Sequence, residues 1–150
     1  MKKFIPILAY HSLDPKQFPN KLAISPELFK KQMLFLKQKR FQMASLEACA
    51  KSGWSEGFFE RKVAITFDDG YLDNYWDAFP VLKDFGLAAA FFVTTEDVGK
   101  KGFMTWDMLR EIAAVPGIEI GSHAFEHKPL SNIPEKEAWI SLVASKKPFS

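Results

Sequence analysis

Two carboxylates stand side by side where an apolar run ends, in the stretch VAITFDDGYLDN at residues 63–74. Adjacent like charges repel most where water is partly excluded, so a purely structural sequence avoids them there or surrounds them with cations. A second polar pair, His123 and His127 in SHAFEH, has i, i+4 spacing, and either one helical turn or a tight loop aims both imidazoles at one point. Two histidines and one carboxylate form a three-ligand site for a divalent metal, with positions left for water and substrate. A metal accounts for the paired aspartates physically: one ligates the cation, while the other stays beside the metal-bound water as a general base. Taken alone, Asp-Asp-Gly is also a good turn, with Gly70 supplying the permissive backbone. A single histidine such as His11 is as readily a surface or core residue, so the combination carries the chemistry.

Those residues act together only if the chain brings them to one place. Residues 4–10 form a short apolar run of strand type that ends at His11, Ser12 and the turn signal Asp14-Pro15. Ser25-Pro26-Glu27 opens the clearest helix, with Ser as N-cap, Pro at the first helical position, and Leu28, Phe29, Met33 and Leu36 recurring as a core-facing stripe. KQKR at 37–40 reads as its solvated last turn. A short strand at 41–43, a small helix from Ser45 and a Gly/Ser/Glu loop around 52–60 follow. Residues 63–67 form a fully apolar strand, and 74–85 a helix with Pro80 as a kink point and Gly86 as its C-cap. Residues 88–93 are another buried strand, 105–114 a helix capped by Thr105, 118–120 a strand running into Gly121-Ser122-His123, and 134–146 a last helix. Apolar strands separated by helices indicate parallel βα units buried on both faces, whose chemistry gathers at the C-terminal strand ends. His11, Asp68-Asp69, Thr94-Thr95-Glu96 and His123 with His127 all fall at such ends and are expected on one rim.

The 150 residues are 47% hydrophobic and 15% aromatic, enough apolar material for the core of one domain. Twenty basic residues face 18 acidic ones without forming a basic stripe, which argues against nucleic acid as a partner. The single cysteine, Cys49, lies in an Ala-rich segment and reads as a small buried hydrophobe. No stretch approaches transmembrane length. The N-terminal apolar run reaches Pro6, Tyr10 and His11 too soon for a secretory segment, so no export signal is visible and the chain is cytoplasmic only as written, its localisation left open.

Thr66-Phe67-Asp68-Asp69-Gly70 resembles the first signature of the polysaccharide deacetylases, the NodB-like carbohydrate esterases, and His123-Ala124-Phe125-Glu126-His127 resembles their second. PILAYHSLD near the start and FMTWDML at 103–109 are also similar to bacterial members, so the likeness spans nearly the whole chain. It implies a distorted (β/α) barrel and metal-dependent removal of acetyl groups from N-acetylglucosamine-containing polysaccharide or oligosaccharide, often at the cell envelope. It further implies that Asp69, His123 and His127 hold the metal, zinc before cobalt, nickel or manganese, and that Asp68 is the catalytic base. A non-haem iron oxygenase uses the same donor triad, but on a β-sandwich rather than on alternating strands and helices.

Two departures from the family pattern stand out. Ala124 takes the place of a Ser or Thr whose hydroxyl helps fix the histidine loop, a loss on the order of 1 kcal/mol. An arginine that partners the base, an aromatic-proline segment and a late Leu-x-His that supplies the acid are expected after the second motif. There is no arginine after Arg110 and no histidine after His127. Residues 1–150 therefore read as a single deacetylase-like domain lacking its C-terminal part, an incomplete barrel of about the first two thirds. His11 becomes the candidate for the absent acid. The alternative is an impaired homologue that binds metal or glycan without efficient turnover. An incomplete barrel exposes an apolar sheet edge, so a homo-oligomer is expected.

Overall fold

Residues 5–16, 22–51 and 61–149 are described by the computed structural model. The loop expected at 52–60 and the start of the first strand at Phe4 lie outside them. Five strands, β1 (Ile7–Tyr10), β2 (Gln42–Met43), β3 (Lys62–Phe67), β4 (Ala89–Val93) and β5 (Ile118–Ser122), alternate with helices α1 (Pro26–Gln38), α2 (Leu46–Lys51), α3 (Phe79–Phe85), α4 (Trp106–Ala113) and α5 (Glu135–Lys146). All the strand pairs are parallel, in the order β1-β3-β4-β5, with β2 joined to the start of β3. The alternating α/β architecture is the one expected, and among the described residues the sheet is open rather than closed.

Register explains why the centre of this sheet is rigid. Tyr10 pairs with Phe67, and Phe67 with Phe91, so three aromatic rings lie in one row across β1, β3 and β4. Phe67 stacks on Phe91 at 4.7 Å and on Tyr10 at 5.4 Å, while Phe29 of α1 meets Tyr10 edge-on at 5.1 Å. Each such ring pair contributes about 0.5–1.5 kcal/mol beyond its area burial. The row occupies the last residues of β1 and β3, directly beneath His11 and Asp68. β3 is buried from Val63 through Phe67, the continuous apolar pattern of a strand covered on both faces.

Several elements depart from expectation in instructive ways. In α1, Ser25 caps the Leu28 amide, and Phe29, Met33 and Leu36 are buried, but Leu28 is 46% exposed. Three buried positions already span the helix face that α3 covers, and Leu28 lies one step outside it. Cys49 is half-buried rather than core, because α2 has no buried residue at all. The helix expected over 74–85 starts two residues earlier, at 72–73, and passes into a π-helical turn, Asn74–Ala78, closed by the Phe79 amide on the Asn74 carbonyl. Pro80 lacks the N–H that would bond to Trp76, so the wider register falls just before it, and it sits in the first turn of α3 without kinking that helix. β5 runs two residues further than expected, through Ser122, with Gly121 lying under the Phe92 ring. A Cβ at position 121 would come within 2.7 Å of that ring, so a larger residue there would force the Phe92 ring to move.

Among the described residues β5 pairs only with β4 and is half-buried along its length. α5 leaves Trp139, Ile140, Leu142 and Val143 exposed. Self-association through these surfaces is expected, and sedimentation velocity at micromolar concentration should show a dimer or larger species; a monodisperse monomer refutes it.

Candidate metal centre

Main-chain hydrogen bonds continue the strand ladders into the site. The Asp68 amide donates to the Tyr10 carbonyl at 2.9 Å, which sets His11 beside Asp68, and the His123 amide donates to the Val93 carbonyl at 2.8 Å. The Thr94 amide reaches the Asp69 carbonyl at 3.3 Å. The predicted gathering of the four strand ends on one rim is therefore met.

The two adjacent aspartates form a tight three-residue turn with Gly70. The Gly70 amide donates back to the Asp68 carbonyl at 2.9 Å, with Asp69 between them at φ 72°. Aspartate tolerates the left-handed region better than most residues, yet the conformation is uncommon and concentrates at working sites. Gly70 follows at φ 86°, and a Cβ there would lie 2.9 Å from Val93 Cγ1. The turn sends the neighbouring carboxylates in different directions. Asp68 Oδ2 faces His11 Nε2 at 3.8 Å, whereas Asp69 Oδ1 faces His127 Nε2 at 3.2 Å and His123 Nε2 at 3.5 Å.

Asp69 is 5% exposed, and its Oδ1 has no hydrogen-bond donor among the described residues. A buried carboxylate oxygen left without a donor is costly, and a cation between it and the two imidazoles removes that cost. One ligand atom from each of Asp69, His123 and His127 lies within 4.8 Å of the others. One carboxylate and two neutral imidazoles are the donor set of zinc and similar ions, so the residues present fit a divalent metal. His123 and His127 keep 40% and 64% of their side chains exposed, which leaves the solvent side open for a substrate. A groove lined by His123, Glu126, His127, Pro129, Leu130 and Leu142 runs alongside.

The histidine pair is carried by a loop rather than by a helical turn. Ala124 sits at φ 66° within it, and its carbonyl accepts the Thr95 amide at 3.2 Å. The Glu96 amide bonds to the Phe125 carbonyl at 2.9 Å, and Ser141 of α5 accepts the Phe125 amide at 3.2 Å. The histidine loop is thus tied to the β4 end and to α5.

Sequence reasoning missed Tyr71, Asp73, Asn74 and Ser12. Tyr71 stacks on Phe103 at 5.3 Å. Burial first, and the Asp69 carboxylate next, push its phenol up to about 12, so it stays neutral beside the site. Ser12 Oγ donates to Asp73 Oδ2 at 2.6 Å, and Asn74 Nδ2 donates to the His11 carbonyl at 2.7 Å. The signal was present as Asp-Asn at the end of the opening stretch, but it coincides with ordinary helix-start chemistry.

Residues 57–149 match the family model described as polysaccharide deacetylase. The chain belongs to the polysaccharide deacetylase family. YxkH of Bacillus subtilis (strain 168), named for the same family, is 35% identical over 146 residues, 97% of this chain and 51% of that protein. The poly-beta-1,6-N-acetyl-D-glucosamine N-deacetylase of Staphylococcus epidermidis is 30% identical over 104 residues, covering 69% of this chain and 36% of its own. The deacetylase PplD of Streptococcus pyogenes, solved with acetate, superposes with a TM-score of 0.84 at 28% identity, over 95% of this chain and 66% of that one. This polysaccharide deacetylase chain therefore spans about half the length of YxkH, and its fold corresponds to about two thirds of the PplD structure.

Two outcomes check the site. Calorimetric titration of the metal-free chain with Zn2+ should give one site per chain, weakened more than about 100-fold in Asp69→Ala or His123→Ala, since even outer partners of a ligand are worth 10–100-fold. Binding unaffected by either change sinks the assignment. Gly70→Ala should lower unfolding stability in denaturant by about 1–3 kcal/mol, from the left-handed backbone and the approach to Val93.

Proposed function

We propose that this chain is a metal-dependent N-deacetylase acting on N-acetylglucosamine-containing polysaccharide, with Asp69, His123 and His127 holding a divalent cation, zinc by its donor set. The observation that carries the reading is the division of one aspartate pair: Asp69 is buried against two imidazoles while Asp68 faces away from them toward His11. A cation held by the triad would polarise the acetamide carbonyl and lower the pKa of a coordinated water. Asp68 is the base that takes the proton as the water oxygen attacks the carbonyl carbon. When the carbon–nitrogen bond breaks, the electron pair stays on nitrogen, and His11 delivers the proton that nitrogen needs. Acetate and a free sugar amine result. The similarity to a poly-beta-1,6-N-acetyl-D-glucosamine N-deacetylase supports the choice of glycan.

One observation favours a second reading, a chain that binds metal and glycan with inefficient turnover. The His11–Asp68 separation of 3.8 Å exceeds hydrogen-bond length, so the acid and base are not yet in contact. Catalytic contacts of this kind often tighten only with substrate bound.

Acetate release from N-acetylglucosamine oligomers by the zinc-loaded chain separates the two. Under the first reading Asp68→Asn keeps zinc and loses about 10²–10⁴-fold in kcat, and His11→Gln also lowers it. Unchanged deacetylation by His11→Gln excludes His11 as the acid. Zinc binding without acetate release overturns the enzyme reading in favour of the second.

A further inference from the structure

The turn that leaves β1 carries His11, and it is fastened by side chains from beyond Gly70. Ser12 Oγ donates to Asp73 Oδ2 at 2.6 Å, and the Leu13 amide donates to the same carboxylate. Asn74 Nδ2 reaches the His11 carbonyl at 2.7 Å and Asp73 Oδ1 at 2.7 Å. Ser12 is 2% exposed, Leu13 1% and Asn74 0%, so the fastening is sealed from water. Ser12 Oγ also accepts the Asp14 amide at 3.0 Å, which closes the turn on itself.

Two features set this cluster apart from ordinary loop bonding. Asp73 lies in the first helical turn, with φ −65° and ψ −23°, and its side chain leaves the helix for the His11 turn. Burial pushes its carboxyl up, against the opposing pull of the Ser12 hydroxyl and the Leu13 amide. The residues that follow form a π-helical turn, a register that collects at functional sites. The helix itself has no need of a desolvated carboxylate at that point; the His11 turn has.

We propose that Asp73 and Asn74, acting with Ser12, are positioning residues that hold the His11 backbone so that its ring meets Asp68 at the mouth of the site. They touch neither metal nor substrate and act on proton delivery to the departing nitrogen. The proposal rests on the acid role given to His11 above.

Leaving-group chemistry distinguishes positioning from plain structural support. An acetamide needs a proton on nitrogen as the bond breaks, whereas 4-nitrophenyl acetate releases a stable phenolate without one. In the zinc-loaded chain, Asn74→Ala and Ser12→Ala should lower kcat on N-acetylglucosamine oligomers about 10–100-fold, with KM and ester hydrolysis held within about 3-fold. Neither change should add to the loss already caused by His11→Gln, and Ser12→Thr, which keeps the hydroxyl, should restore activity. Equal losses on amide and ester, or full additivity with His11→Gln, overturn the proposal.

Asn74 is wholly buried and its variant is the one at risk of not folding; Ser12→Ala removes a single hydroxyl and carries the test in that case. The geometry is also read without turnover. The His11 ring resonances, assigned by their loss in His11→Gln, should move in Ser12→Ala while those of His123 and His127 stay in place. A wild-type chain that cleaves neither substrate brings down the functional reading alone. In that case the clamp falls if the His11 resonances are unchanged in Ser12→Ala.

Discussion

A carboxylate oxygen buried without a hydrogen-bond donor opposes folding, and at Asp69 the chain accepts two further penalties that keep it there. Asp69 and Ala124 both occupy left-handed backbone at φ 72° and 66°, a conformation that L-residues other than glycine and asparagine-like side chains resist. Each of the two bends aims a ligand: the first turns the carboxylate away from its neighbour Asp68, and the second curls the histidine loop back over it. Without a positive charge at the centre, these penalties would have no return. With one, the negative oxygen and the two imidazole nitrogens become mutually supporting, and the surrounding loops acquire a reason for their shape.

Such strain persists only where the frame beneath it does not yield. The aromatic row of Tyr10, Phe67 and Phe91, braced by Phe29, sits immediately under the rim, so the strand ends cannot slide relative to one another without unstacking rings. A slip of one residue in any strand would also turn its buried side chains to the opposite face. Main-chain bonds continuing past the strands, Asp68 to Tyr10 and His123 to Val93, transmit that fixed register to the residues with chemistry. Flexibility is left to the solvent side, where the histidines remain half open.

Much of this was legible in the sequence, because continuous apolar runs flanked by turn residues can be read without knowing the fold. Residues 63–67 and 88–93 announced a parallel sheet, and parallel sheets place their strand ends together, which is why the Asp68-Asp69 pair and the two histidines could be expected on one rim, while the choice of Asp69 as the ligand came from the family resemblance. The illegible parts have physical causes. Helical periodicity marks a face but not its width, so Leu28 was placed on the wrong side of its boundary. Cys49 looked apolar by type, yet α2 rests on the surface. Asp73 and Asn74 are residue types that favour helix starts, and only tertiary contacts reveal that their hydrogen bonds leave the helix and cross to β1.

The stretch from Asp68 to Asn74 consequently behaves as a unit of fixed length. It supplies a residue facing His11, a residue facing the histidine pair, a glycine fitted against Val93 and the side chains that grip the β1 turn. A single inserted or deleted residue within it would rotate everything downstream by about 100° around the helix that follows, separating the grip from the carboxylates. Substitutions in the flanking helices can accumulate one at a time, whereas this stretch can change only as a whole. It would have to be moved between scaffolds together with the β1 turn it holds.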